Sequence, residues 1–282
     1  MDSTIISRGG DEMAIEEKEK KEDVKPEKKA KSYGKARKGI YFGSGLGFEG
    51  TEAYKLLRTN LKFAIPADKE CKVIGVTSSL RGEGKSTTAT NLAYMVAEDG
   101  ASVLLIEADM RLPGIVSKLR LEKRQGLSNL LAGLCDSADA IIPPAGDCKF
   151  SVVQAGSVPP NPSELLGSDA MKKYLELWKN QFDYIIFDFP PVGVVSDALV
   201  LAELLDGMIV VVRQDYCEEP VLDDTVRKLK YVGANVLGFA VTMTGRGGKR
   251  YGKYEYGYGY GYGYGGRHGH AQTEDTDGRK KN

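Results

Sequence analysis

The sequence predicts an α/β protein built on a doubly wound, mostly parallel sheet, with a long charged segment before it and a low-complexity tail after it. Two observations predict the fold. Short apolar runs of strand type alternate with segments of helical period from Lys72 to Thr242. The first of these runs, Val73-Ile-Gly-Val-Thr, breaks into a glycine-rich turn that leads straight into a helix, the arrangement of a phosphate-binding loop.

Composition sets the outer limits. At 282 residues with 41% hydrophobic content, the chain can bury one sizeable core and carry extended ends. Lys+Arg and Asp+Glu are equal at 39 each, so net charge offers no field that would favour nucleic acid as the main partner. The four cysteines, Cys71, Cys135, Cys148 and Cys217, form no CxxC pair, which fits a reducing cytoplasm. No apolar run approaches the roughly 18 residues of a membrane span, and the N-terminus lacks a signal-peptide core. Work at a membrane would therefore depend on a partner.

Three regions follow from the composition shifts. Residues 1–47 are dominated by Glu and Lys and predict a disordered charged segment, basic toward its end at Lys28, Lys29, Lys31, Lys35, Arg37 and Lys38. Residues 48–245 form the α/β domain. Residues 246–282 begin as a Tyr/Gly alternation that cannot build a core, because its glycines add entropy cost and no side chain.

Within the domain, Thr51 to Phe63 predicts a helix closed by Pro66, with Leu56, Leu57, Leu61 and Phe63 on an apolar side. Glu52, Lys55 and Arg58, spaced by three, share the opposite side, where spacing alone suggests a surface salt-bridge ladder. Next comes Ser79-x-x-x-x-Gly84-Lys85-Ser86, a Walker A pattern with serine in place of its first glycine. Gly82 and Gly84 let backbone N–H groups, those of Glu83 and Thr87 included, converge on a phosphate, Lys85 reaches the outer phosphates, and Ser86 offers a hydroxyl to Mg²⁺. Ala89, Leu92, Ala93, Val96 and Ala97 carry the helix on to Gly100.

Ser102 to Ile106 reads as a buried strand ending in Glu107-Ala-Asp109-Met-Arg111, and acids at a strand's carboxyl end beside a polyphosphate call for a metal between them. Gly126 to Gly133 predicts a short helix and Ser151 to Gln154 a strand. Asn161-Pro-Ser-Glu164 reads as a helix start capped by Asn161, and Met171, Tyr174, Leu175 and Trp178 form a core stripe in the helix after it. Tyr184-Ile-Ile-Phe-Asp188 has the form of a Walker B strand, whose Asp stands behind Mg²⁺. A helix from Ser196 to Leu205, a strand from Met208 to Val212, a helix from Pro220 to Tyr231 and a strand from Val236 to Thr242 complete a parallel sheet with right-handed crossovers.

Taken together, the Walker A loop, the acidic strand end, the Walker B strand and the terminal tyrosines resemble the bacterial tyrosine kinases of capsule and exopolysaccharide synthesis, in their separately encoded cytoplasmic form. The resemblance covers residues 48–264 and extends to Gly126-Leu-Ser, Gly156-x-x-Pro-Pro-Asn-Pro-Ser-Glu-Leu-Leu166 and Asp183-Tyr-Ile-Ile-Phe-Asp-Phe-Pro-Pro191. It implies a P-loop NTPase of the deviant Walker A superfamily that uses ATP and Mg²⁺ to phosphorylate tyrosines. The implied catalytic residues are Lys85, Glu107 and Asp109, with Glu107 as base. The implied phosphate contacts are Ser79, Gly82, Glu83, Gly84, Lys85, Ser86 and Thr87, and the Mg²⁺ residues are Ser86, Asp109 and Asp188. The acceptors would be Tyr251, Tyr254, Tyr256, Tyr258, Tyr260, Tyr262 and Tyr264, phosphorylated between neighbouring copies.

The resemblance also implies a ring-like homo-oligomer built through Glu52, Lys55 and Arg58, a membrane-anchored activator of the polysaccharide co-polymerase kind, and a cognate tyrosine phosphatase. It places the protein in the cytoplasm, recruited to the inner face of the membrane. Lys55 stands where the family's oligomerisation motif has its middle arginine, and Glu107 stands where its acidic pair opens with Asp. Leu80 occupies the place of the signature lysine of partition and division-site ATPases, which argues against a switch that dimerises across its nucleotide. Two other classes use the same nucleotide elements: a regulatory ATPase that releases free phosphate, and a scaffold that binds MgATP without turnover.

Overall fold

The computed structural model describes residues 43–144 and 148–244. The tail tyrosines from Tyr251 to Tyr264 and the charged N-terminal segment before Gly43 lie outside these described residues, so the readings made of them stand as sequence expectations.

After a 3-10 turn at Gly43–Gly45, the chain runs α1 (Phe48–Ala64), β1 (Lys72–Ser78), α2 (Lys85–Glu98) and β2 (Val103–Glu107). Three short helices follow, α3 (Ile115–Leu119), α4 (Leu127–Leu131) and α5 (Ser137–Ala140), then β3 (Ile141–Ile142) and β4 (Ser151–Val153). The second half is α6 (Pro162–Leu166), α7 (Asp169–Lys179), β5 (Tyr184–Asp188), a 3-10 helix at Leu199–Leu204, β6 (Gly207–Arg213), α8 (Glu219–Tyr231) and β7 (Val236–Thr242).

The strands form one seven-stranded sheet in the order β3-β4-β2-β5-β1-β6-β7. Every neighbouring pair is parallel except β3 with β4. Among the described residues, that two-residue edge strand alone departs from the predicted parallel sheet. β1 pairs with β5 on one side and β6 on the other, so its carboxyl end opens where the winding reverses direction, the place where such sheets bind ligands.

Period-2 alternation sorts the strand residues between two faces. Ile74, Val76, Val103 and Leu105 pack with Leu61 of α1, Leu92 and Val96 of α2 and Ile115 of α3. Val73, Leu104, Ile106 and Phe187 pack on the other face with Leu130 of α4, Met171, Leu175 and Trp178 of α7 and Leu229 of α8. Trp178 is fully buried, as its helical spacing predicts, and its Nε1 donates to Ser137 Oγ at 3.0 Å.

Four local expectations change. Asn161 does not cap α6 with its side chain, because its amide donates to the Glu164 carboxylate instead. The helix expected beyond it is two helices, the second capped by Ser168, which accepts from the Met171 N–H at 3.3 Å. Between Ser196 and Leu205 the chain forms a 3-10 helix over Leu199–Leu204, opened by an i to i+3 bond from Leu199 N to Ser196 O at 2.8 Å. The Glu52, Lys55, Arg58 trio does not share one exposed face. Lys55 pairs with Glu52 in solvent, whereas Arg58 turns onto the end of α2, donating to Met95 O at 2.9 Å and pairing with Asp99 at 3.4 Å. A cation suits that helix C-terminus, and packing against α2 takes Arg58 out of the ladder.

α4 is pinned to the extension of β4 by Leu127 N to Gln154 O at 2.7 Å and Ser128 N to Ala155 O at 3.0 Å. The approach is so close that a Cβ at Gly126 would lie 2.2 Å from Gln154 O and 2.6 Å from Gly156 N, both backbone atoms. Gly126→Ala is therefore expected to cost about 1–3 kcal/mol through overpacking. Thermal unfolding should show a Tm lowered by about 2–10 °C, the shift such a cost gives in a domain of this size.

Candidate nucleotide and phosphoryl-transfer site

The site grows from the end of β1. Gly82 and Gly84 have φ of 82° and 100°, conformations that side chains resist, and they bend the backbone round into the start of α2. No side chain caps that helix, which leaves its first N–H groups and its positive dipole end facing the loop's interior. Lys85, Ser86 and Thr87 sit in this first turn, with Ser86 O accepting from Thr90 Oγ1 at 2.6 Å.

The loop is held from behind. The buried Glu83 carboxylate accepts from Leu80 N and from Arg213 N, and the Glu83 carbonyl accepts from Thr242 Oγ1 at 2.6 Å. Thr242 lies so close to Gly84 that a Cβ there would meet its Cγ2 at 3.3 Å. Tyr216 donates its hydroxyl to Arg81 O at 3.1 Å. Glu83 therefore has its side chain turned into the scaffold, and only its backbone N–H remains to face a phosphate. Ser79, which replaces the first Walker glycine, is buried, and a Cβ at Gly193 would stand 2.3 Å from its carbonyl oxygen.

At the centre, Lys85 Nζ donates to Asp109 Oδ2 at 2.8 Å, approaches Ser86 Oγ at 3.3 Å and stands 3.6 Å from Asp188 Oδ1. Burial works against its charge, but Asp188 and Asp109 outweigh it and hold the ammonium above its usual pKa. Burial pushes the Asp188 carboxyl up to about 6 against the pull of Lys85. Among the described residues, no hydrogen-bond donor reaches either buried Asp188 oxygen or Ser79 Oγ. Orphaned carboxylate oxygens at a phosphate loop are the chemistry a hydrated Mg²⁺ satisfies, so Ser86, Asp109 and Asp188 fit that ion.

The backbone fixes these acids relative to one another. Glu107 and Asp188 are register partners across β2 and β5, and the Asp188 carbonyl accepts from both Ala108 N and Asp109 N at 3.0 Å. Asp109 Oδ1 accepts from Leu112 N at 3.0 Å. A cavity of about 390 Å³ opens there, lined by Gly82, Gly84, Lys85, Ser86, Thr87 and Asp109 and by residues of the 111–118 and 190–195 segments.

Glu107 does not belong to that lining. It is fully buried, with Oε1 accepting from Gly114 N and from Ile115 N at 2.6 Å and Oε2 accepting from Ala155 N at 3.2 Å. Its reading as the base that meets the incoming phenol is therefore corrected. The longer side chain reaches back to tie β2 to the start of α3 and the extension of β4. Asp109 is the acid of the pair that faces the cavity.

A family model described as an AAA domain matches residues 71–232. Tyrosine-protein kinase CpsD of Streptococcus agalactiae is 36% identical over 204 residues, covering 72% of this chain and 87% of that protein. The chain belongs to the bacterial tyrosine-protein kinases. Tyrosine-protein kinase YwqD of Bacillus subtilis is 38% identical over 169 residues, 60% of this chain and 70% of that one. The solved kinase domain of the Escherichia coli tyrosine kinase ETK superposes with a TM-score of 0.66 at 30% identity, covering 72% of this chain and 80% of that one. The expected fold, a P-loop nucleotide-binding domain with a mostly parallel sheet, is the fold observed.

In this kinase the structure brings together Ser79, Gly82, Glu83, Gly84, Lys85, Ser86, Thr87, Asp109 and Asp188, and it sets Glu107 behind them. Two further residues belong to the site. Arg111 lines the cavity and pairs in a fork with Asp197, Nε to Oδ2 at 2.8 Å and Nη2 to Oδ1 at 2.9 Å. Burial alone would raise the Asp197 carboxyl, but Arg111 and the Ser163 hydroxyl outweigh it and hold it below its usual range. Nothing in the spacing of Arg111 and Asp197, 86 residues apart, announces that pair. Among the described residues no helix is long and apolar enough to cross a membrane.

Glu107→Gln should separate structure from chemistry. Replacing a carboxylate that accepts three backbone N–H groups with an amide is expected to cost about 1–3 kcal/mol of stability, read by urea unfolding. The KM for ATP should stay within about twofold, a difference of a few tenths of a kcal/mol.

Proposed function

We propose that this chain transfers the γ-phosphoryl group of ATP to tyrosyl hydroxyls, and that its acceptors include Tyr251, Tyr254, Tyr256, Tyr258, Tyr260, Tyr262 and Tyr264 of a neighbouring copy. The observation that carries this reading is the Lys85 ammonium held by Asp109 and Asp188 over the uncapped start of α2, in a chain that belongs to the tyrosine-protein kinases. The loop N–H groups from Gly82 to Thr87 bind the phosphates, and Lys85 exchanges its carboxylates for the outer phosphate oxygens when ATP enters. Ser86, Asp109 and Asp188 would hold a hydrated Mg²⁺, which would neutralise phosphate charge.

The phenol oxygen bonds to the γ-phosphorus as the bond from that phosphorus to the bridging oxygen of ADP breaks. The phenolic proton passes to Asp109, the carboxylate that faces the cavity. Catalysis is then chiefly positioning and charge neutralisation by fixed groups. A membrane-anchored partner brings the kinase to the inner face of the membrane, where it regulates extracellular polysaccharide synthesis. Copies assemble through α1, with the exposed Glu52–Lys55 pair at the contact and Arg58 fixing α1 to α2 from within.

Incubation of the purified full chain with MgATP should leave phosphate on the tail tyrosines, read by mass spectrometry. Lys85→Met should reduce that labelling by about two orders of magnitude or more, with an unchanged circular dichroism spectrum. Release of free phosphate without phosphotyrosine would replace this reading with that of a regulatory ATPase.

A further inference from the structure

Part of the cavity, lined by residues of the 111–118 and 190–195 segments, forms a slot whose lining differs in character from the phosphate loop. One wall is apolar, formed by Leu112, Pro190, Pro191, Val194 and Val195, and Leu112 and Val194 remain about half exposed. Flat apolar surface of this kind suits one face of a phenol ring. The wall is rigid relative to the phosphate loop. Thr77 Oγ1 donates to Pro190 O at 2.8 Å, Val192 N donates to Ser78 O at 2.9 Å, and Gly193 lies against the Ser79 carbonyl.

The rim of the slot is cationic. Arg111 and Lys118 line it, and Arg81 and Lys85 line the same cavity; Lys85 is paired with Asp109 and Asp188 and Arg111 with Asp197, while Arg81 and Lys118 sit in none of the ion pairs among the described residues. Arg111 cannot wander, because the fully buried Asp197 grips its guanidinium by two bonds and is itself held by the Ser163 hydroxyl. Lys118 is exposed and, among the described residues, sits in none of the ion pairs.

The tail's own charge is the wrong sign for this rim. Between Arg246 and Tyr264 it carries Arg246, Lys249, Arg250 and Lys253 against Glu255 alone. A phosphate on one tyrosine adds about −1.5 to −2 charge and three acceptor oxygens. Tyrosines alternating with glycine in an extended chain stand about 6.6–6.8 Å apart on one side, so a phosphorylated neighbour falls beside the slot while the next phenol occupies it.

We infer that this slot is an acceptor subsite that selects a tyrosine with a negative charge two residues from it in sequence, with Arg111 and Lys118 as its specificity determinants and Asp197 as the residue that positions Arg111. This rests on the tyrosine-kinase reading above. Each phosphotyrosine then draws in the acceptor two residues away, so that phosphorylation spreads along the alternating part of the cluster from Tyr254 to Tyr264.

The test uses the full chain carrying Tyr251→Phe and the same change at its six other tail tyrosines, so that only added peptide accepts phosphate. Two peptides spanning residues 257–265 carry Tyr260 as acceptor, with Tyr258→Phe and Tyr264→Phe in both. One has Tyr262 phosphorylated and the other has Tyr262→Phe. The phosphorylated peptide should show a kcat/KM about tenfold higher, mostly through KM, with a preference that shrinks as salt screens it. Lys118→Glu, at an exposed position, should bring the ratio of the two peptides to one or below, and Lys118→Arg should restore it. Arg111→Lys, which loses the fork to Asp197, should reduce the ratio of the two peptides.

Equal use of the two peptides, or a ratio that Lys118→Glu leaves unmoved, overturns the subsite. Transfer to neither peptide overturns the kinase reading instead. Fluorescence anisotropy of the same labelled peptides still decides the subsite in that case, since tighter binding of the phosphorylated one must depend on Lys118.

Discussion

Everything at the active end of this sheet depends on burying one ammonium between two carboxylates. Lys85, Asp109 and Asp188 stand at the carboxyl ends or first turn of elements that the sheet places side by side, and Asp188 is 1% exposed. Charges taken from water cost several kcal/mol each unless paired, and a pair is seldom better than a well-packed apolar replacement. Stability alone would not retain such a cluster. It persists because its geometry is the one a polyphosphate needs, and the rest of the domain is arranged to tolerate it. The orphaned oxygens of Asp188 show the unmet part of that cost.

Three other buried acids provide the tolerance, and each is spent on backbone or on a fixed cation. Glu83 accepts from Leu80 and Arg213, Glu107 from Gly114, Ile115 and Ala155, and Asp197 from Arg111 and Ser163. Each carboxylate joins segments that are distant in sequence and would otherwise move independently at the sheet's end. The phosphate loop, the segment after β2 and the segment after β5 thus behave as one rigid rim. Preorganisation of this kind is what phosphoryl transfer demands, since the protein's task there is to hold charge in place before the reaction begins.

How far the sequence discloses this follows from the range of each interaction. The strands and the phosphate loop are local patterns, and the structure has them nearly where periodicity and glycine spacing put them. Trp178 was legible as core for the same reason, whereas the apolar side read on α1 is only part buried, with Leu61 in the core and Leu56 and Phe63 exposed. Glu107 was misread because its position, two residues before Asp109, describes a strand end correctly but does not say where a side chain one methylene longer will turn. Its partners at Gly114, Ile115 and Ala155 come into reach only once β4 has paired with β2. Arg58 was misread in the same way, since helical spacing puts it beside Lys55 until α2 packs against α1. Asp197 carries no local signal at all, and its role exists only in the folded molecule.

The last link runs from the sheet's far edge to the phosphate loop. Thr242 ends β7, and its hydroxyl holds the Glu83 carbonyl while its methyl touches the space above Gly84. Met243, the next residue, has a φ of 62° and lines the cavity itself. The strand from which the tyrosine-rich segment departs is therefore part of the nucleotide site's own wall.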